Sequence, residues 1–137
     1  MIRTPSHVKA VKGGGHQLKT AALKSKPGTD DVSVMRHRHL GFDGCRDKAR
    51  PMSGYFGLAV LTPAAVRGQK SNVIDTREEY LGHASIVHGV VLPIDEPPDS
   101  KNLEELNERI RQILKSVRFE PDPDINSAHW TGPTLID

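Results

Sequence analysis

The chain holds a single cysteine, Cys45, so no intramolecular disulfide can form and a reducing compartment fits best. Aromatic residues make up only 4% of it, which leaves an aliphatic core and few rings on which nucleic-acid bases could stack. No apolar run is long enough to span a bilayer. The longest, Gly57 to Val66, is short and contains Thr62 and Pro63. The leading residues lack the continuous apolar segment of a secretory signal. These absences predict a soluble, cytoplasmic protein with no membrane association. Acidic residues are also missing from residues 1–29, which carry six Lys/Arg.

A length of 137 residues predicts one domain with one core, preceded by a basic segment (about 1–29) and followed by an irregular tail (about 119–137). The net charge of +2 conceals an asymmetry. Residues 1–50 hold eleven Lys/Arg against four Asp/Glu, and residues 51–137 hold eight against thirteen. A basic half joined to an acidic half suits a polyanion-facing surface, or contact with a partner protein or a second copy.

The most convincing strand is the stretch from Gly82 to Pro93. Residues 84–92 are mostly Ala, Ile, Val and Leu between two chain breakers, the pattern of a strand buried on both faces. Alternation puts His83, Ser85 and Val87 on one face and Ala84, Ile86 and His88 on the other, so the two histidines cannot share a ligand in a regular strand. Each is either a hydrogen-bonded core residue or, for His83 beside Gly82, an acid, a base or a ligand.

Other elements follow from local patterns. Val32–Met35 reads as a strand with Val32 and Val34 toward the core. Residues 41–54 read as a loop or short helix ended by Pro51. Phe56–Leu61 reads as a strand, and Thr62-Pro63 as an N-cap with proline at the first helical position. Asn72–Asp75 is a further short strand. The apolar stripe Leu103, Leu106, Ile110, Ile113, Leu114 and Val117 predicts an amphipathic helix over about 102–117, with Asn102 and Glu105 at capping-box spacing. Trp130 is expected to pin the tail to the body. The fold class is therefore α+β: a small mixed or antiparallel sheet packed by one long C-terminal amphipathic helix.

Motif matches are weak. Lys12-Gly13-Gly14-Gly15-His16-Gln17-Leu18-Lys19-Thr20 has the composition of a phosphate loop, but Leu18, not glycine, precedes Lys19. His83-Ala84-Ser85 and His129-Trp130-Thr131 resemble the paired motifs of the 2H phosphoesterases, although about one such match arises by chance at this composition. His37 and His39 would share a strand face at metal-friendly spacing, but the flanking arginines repel a cation, so no metal and no cofactor is assigned. The constellation with most chemistry is His16, Lys19, Ser33, Arg36 and His83. If their strands adjoin, Lys19, Arg36 and Ser33 would bind an anion and His83 and His16 would be catalytic.

His16-x-x-Lys19-Thr20-Ala21-Ala22, Asp31-Val32-Ser33-Val34-Met35-Arg36 and Gly82-His83-Ala84 with His88-Gly89 together resemble a group of small bacterial proteins of no known activity. The resemblance spans residues 13–93 and implies that the leading segment belongs to the fold. It supports His16, Lys19, Arg36 and His83 as a set. Two functions of different classes remain, and whether the protein is an enzyme stays open. One is an interaction or regulatory module working in a complex, with a protein partner or as a homo-oligomer. The other is a small His-dependent hydrolase or transferase acting on a phosphate-bearing or nucleotide-like substrate. Nucleic-acid binding through the basic half is the third reading.

Overall fold

The computed structural model describes residues 1–3 and 6–136, so residues 4 and 5 of the basic segment and residue 137 of the tail lie outside the described residues. The architecture is mixed helix and strand, and every strand pairing is antiparallel. One small sheet was the expectation. Instead, among the described residues, the strands form two three-stranded sheets and a separate hairpin. Periodicity identifies strands but not partners, and the first sheet takes its outer strands from opposite ends of the chain.

That first sheet has β5 (Tyr55–Val60) at its centre, with β1 (Ile2–Arg3) on one side and β8 (Arg118–Pro121) on the other. Residues 118–121 are thus a paired strand rather than the start of an irregular tail. Gly57 makes the pairing possible: a Cβ there would lie 2.2 Å from the Glu120 carbonyl oxygen. Pro121, which has no N–H to give, sits opposite Gly57 on the outer strand, where none is needed.

The leading segment forms the hairpin β2 (Val8–Ala10) and β3 (His16–Leu18), followed by a 3₁₀ turn, Thr20–Leu23. Val8 and Ala22 are buried with Ile2, and Leu18, Phe56, Ala59 and Phe119 pack against them. The basic segment is therefore tied to the first sheet by an apolar cluster of its own.

The second sheet has β7 (His83–Val87) between β4 (Asp31–Met35) and β6 (Asn72–Asp75). The central strand is shorter than the apolar run, ending at Val87, after which the His88 backbone N–H donates to Asp30 O. The alternation is as the sequence predicts. Val32 faces Ile86 and Val34 faces Ala84, with Val73 opposite Ile86 on the far side. Ile86 is fully buried in the main cluster with Leu23, Val66, Leu92, Leu106, Ile110 and Ile113.

Among the described residues three α-helices complete the fold. Helix α1 (His37–Ala49) begins directly after β4, where a loop or one or two helical turns were expected, and is kinked at Gly41 (φ 66°, ψ 180°). Only glycine adopts that backbone freely. Helix α2 (Pro63–Arg67) has the predicted cap: Ala65 N–H donates to Thr62 Oγ1 at 3.2 Å. Helix α3 (Lys101–Leu114) is capped by Ser100, whose Oγ accepts from Leu103 N–H at 3.0 Å, not by the Asn102–Glu105 pair. It ends three residues before Val117. Its stripe residues Leu106, Ile110 and Ile113 are those in the main cluster. Among the described residues no helix is long and apolar enough to cross a membrane.

Candidate functional site: a cavity between the two sheets

A cavity of about 320 Å³ lies between the sheets. One wall is the inward face of the second sheet, Val34, Val73 and Ala84. The opposite wall is Leu58 to Leu61 of β5 and the residue after it, and α1 contributes Phe42 and Cys45. The hollow follows from side-chain size. In the row Val34–Ala84–Asp75 the central strand supplies only a methyl group, whereas at Gly82, whose carbonyl accepts from Arg36 N–H, the place of a side chain is taken by Leu40. The small side chain in the middle of that row leaves space that a Val or Ile would fill. The volume is at the lower end of that found for small-molecule pockets.

Arg36 is the charged group on this otherwise apolar wall. Its terminal Nη2 donates to Asp75 Oδ1 at 3.2 Å, while its Nε is buried with no hydrogen-bond partner among the described residues. Leaving such a donor unpaired costs about 1–3 kcal/mol. Asp75 is in turn held by Arg77, through the guanidinium and through the backbone N–H at 3.1 Å. The hydrogen bond from the Arg77 side chain, then that from its backbone N–H and the charges of Arg36 and Arg77, bring the Asp75 carboxyl down to about 2 against a smaller opposing effect of burial. Arg38 and His37, at the start of α1, also line the cavity. Burial pushes the Cys45 thiol up, so the wall carries a neutral thiol at pH 7.

The five residues singled out from the sequence fall in three places. His83 and Ser33 stand on the outward face of the second sheet, since Met35 pairs with His83 and Ser33 with Ser85. His83 is buried. Its Nδ1 shares a hydrogen bond with Thr76 Oγ1, its ring meets the Tyr80 ring edge-on at 5.0 Å, and Lys48 Nζ lies 4.0 Å over that tyrosine. Ser33 is exposed. Arg36 lies on the inward side, in the cavity. His16 is exposed on the hairpin, edge-on to Phe56 at 4.9 Å, and Lys19 follows the hairpin with its backbone N–H donating to His7 O. Arg36 directly follows Met35, the strand partner of His83, yet the two side chains are separated by the sheet itself. His37 and His39 are exposed at the start of α1, where strand alternation no longer aligns them. Among the described residues no group of three or more His, Cys, Asp or Glu is placed to hold a metal ion.

His88 resolves into a core residue. Its Nδ1 meets Ser71 Oγ at 2.8 Å and its Nε2 meets Leu23 O at 2.7 Å. A carbonyl only accepts, so Nε2 carries the proton and Nδ1 accepts from the serine hydroxyl. Burial is the main cause that lowers its pKa, with the nearby Arg109 charge adding to it.

Sequence reasoning missed Arg46, the largest fully buried side chain. Its Nε donates to Asp122 Oδ2, Nη1 to Ser127 O and Nη2 to Asp124 O, each at 2.7 Å. Tyr55 Oη donates to the same carboxylate oxygen at 2.8 Å. Burial and that bond push the Tyr55 phenol far up. Burial opposes the Asp122 charge, but the bonds from Arg46 and Tyr55 outweigh it and hold the carboxyl below its ordinary value. Trp130 adds a second attachment: its backbone N–H donates to Asp43 Oδ1 at 2.6 Å and its ring stacks on Phe42 at 6.4 Å. The tail thus returns along α1, and Ile136 reaches the cavity wall.

Comparison with protein-family models, curated proteins and solved structures finds no match to this chain.

Proposed function

We propose that the protein is an interaction or regulatory module that works by holding a small, mainly apolar ligand between its two sheets. The observation that carries this reading is the cavity of about 320 Å³ behind Ala84. Its apolar lining favours burial of a hydrocarbon body, and its size, at about 30 Å³ per water, suits a ligand of about ten non-hydrogen atoms. The loops flanking β7 expose Leu81, Val91 and Ile94, the last at 90%, which offers apolar surface to a protein partner or a second copy.

The His-dependent hydrolase or transferase is the second reading. It rests on the hydrogen bond between Thr76 and His83, the pairing of a hydroxyl with a base that nucleophilic catalysis needs. The binding reading is preferred because Arg36, the anion-binding group closest in the chain, lines the opposite side of the sheet from His83.

Ala84→Ile tests the proposal by filling the hollow from within. Octanol should raise the thermal midpoint of the wild type by mass action and leave that of the variant unchanged, provided the variant's circular dichroism shows a folded chain. An equal rise in both would place octanol elsewhere and defeat the reading.

A further inference from the structure

We infer that the cavity is built for a monocarboxylate, with Arg36 reading the carboxylate and the apolar walls taking the rest of the molecule. This inference rests on the binding reading above and adds the chemical class of the ligand.

Four observations converge on Arg36. First, it lines the cavity together with Val34 and Ala84, where every other contribution from that sheet is apolar. Second, its guanidinium is incompletely used. Among the described residues Asp75 takes one donor at 3.2 Å, from the terminal Nη2, while Nε has no partner, and the side chain as a whole is 27% exposed. A carboxylate offers two oxygens at the spacing of the Nε and Nη2 edge, so a small rotation of the guanidinium would satisfy both. Third, the anion that competes for Arg36 is already engaged: Asp75 is clamped by the Arg77 side chain and backbone N–H. Asp75 can therefore hold Arg36 in place between ligands without needing it. Fourth, the surroundings favour negative charge. Arg36, Arg38 and Arg77 outnumber Asp75, and Arg38 and His37 line the same cavity. A phosphomonoester fits less well, because its second charge and three oxygens would need more donors than this wall supplies.

The test is a titration with three probes of nearly equal size: octanoate, octanol and octylamine at pH 7. Trp130, the sole tryptophan, stacks on Phe42 of the cavity wall, so its emission reports occupancy. Octanoate should bind the wild type about tenfold more tightly than octanol, the worth of a charge-assisted hydrogen bond near a partly exposed guanidinium, and octylamine should bind weakest. Arg36→Gln should weaken octanoate to the level of octanol while leaving octanol unchanged, and Arg36→Lys should retain part of the preference. Asp75→Asn, which removes the competing anion, should tighten octanoate binding. That gain is what a purely structural role for the Arg36–Asp75 pair would not give. If octanol binds as tightly as octanoate, the carboxylate inference falls and the cavity reading stands. If folded Arg36→Gln loses both probes equally, Arg36 shapes the wall rather than reading the ligand, and the inference falls too. If no probe binds, the binding reading itself falls.

Discussion

His88 illustrates how one buried residue sets a pH limit. In the fold it is neutral, with its Nε2–H donated to Leu23 O and Nδ1 accepting from Ser71, so protonation would break one bond and bury a charge. Its folded pKa lies below the ordinary 6.5, and burial is the first cause. Above about pH 6.5 it is neutral in both states and its contribution is fully present. As pH falls below that value the unfolded chain takes up a proton that the folded chain does not. Stability is then lost, at a limiting slope of about 1.4 kcal/mol per pH unit, until the lower folded pKa is reached. Urea midpoints measured from pH 7.5 to 5 should fall for the wild type and fall less steeply for His88→Gln. Parallel curves would mean that His88 is not held neutral. The sequence carries only half of this: β alternation puts His88 on the core side, but Ser71 and Leu23 are distant in the chain and nothing local announces them.

At the scale of elements, the tail is held by α1 through Arg46. The Arg46–Asp122 pair has no solvent exposure on either side chain, and two further guanidinium donors go to backbone carbonyls of residues 124 and 127. Removing one partner of such a pair leaves the other charge buried and alone. Arg46→Met is therefore expected to destabilise the protein by about 3–5 kcal/mol in urea denaturation. It should also speed hydrogen exchange over residues 122–130 more than over β7. A loss under about 1 kcal/mol would show that the tail is not anchored there. This anchor is hard to read from sequence for a physical reason. Two of its three acceptors are backbone carbonyls, which every residue has, Asp122 lies 76 residues away, and an arginine beside Asp47, Lys48 and Arg50 reads as one more solvated charge. The helices of stronger local signal were partly legible: Thr62-Pro63 starts α2 as expected, and Leu106, Ile110 and Ile113 of the α3 stripe are buried, although the helix stops at Leu114, short of Val117. Its cap was misread because Ser100 and Asn102 are both competent, and the flanking Pro97-Pro98-Asp99 allows the earlier start.

At the scale of the molecule, function rests on what the two sheets leave between them. Sequence showed Ala84 on a strand rich in Val and Ile and bounded by Gly82, and it had the strand of Val32 and Val34 emerge into solvent near Arg36. It could not show that β5, paired with strands from both ends of the chain, would stand opposite them as the other wall. A cavity is a property of two surfaces, and only one was readable. For the same reason the cationic set His16, Lys19, Arg36 and His83 looked like a single site. Residues near strand ends in the sequence were divided in space among a hairpin, an inward face and an outward face.

The most direct test of the cavity is a methyl-resolved NMR titration of the wild type with octanoate. Val34, Val60, Val73 and Leu58 line the hollow from both walls, so their methyl resonances should shift together and saturate with one dissociation constant. The methyls of Ile94 and Val91, exposed away from it, should stay in place. Shifts confined to Ile94, Val91 and Leu81, or none at saturating octanoate, would contradict the account.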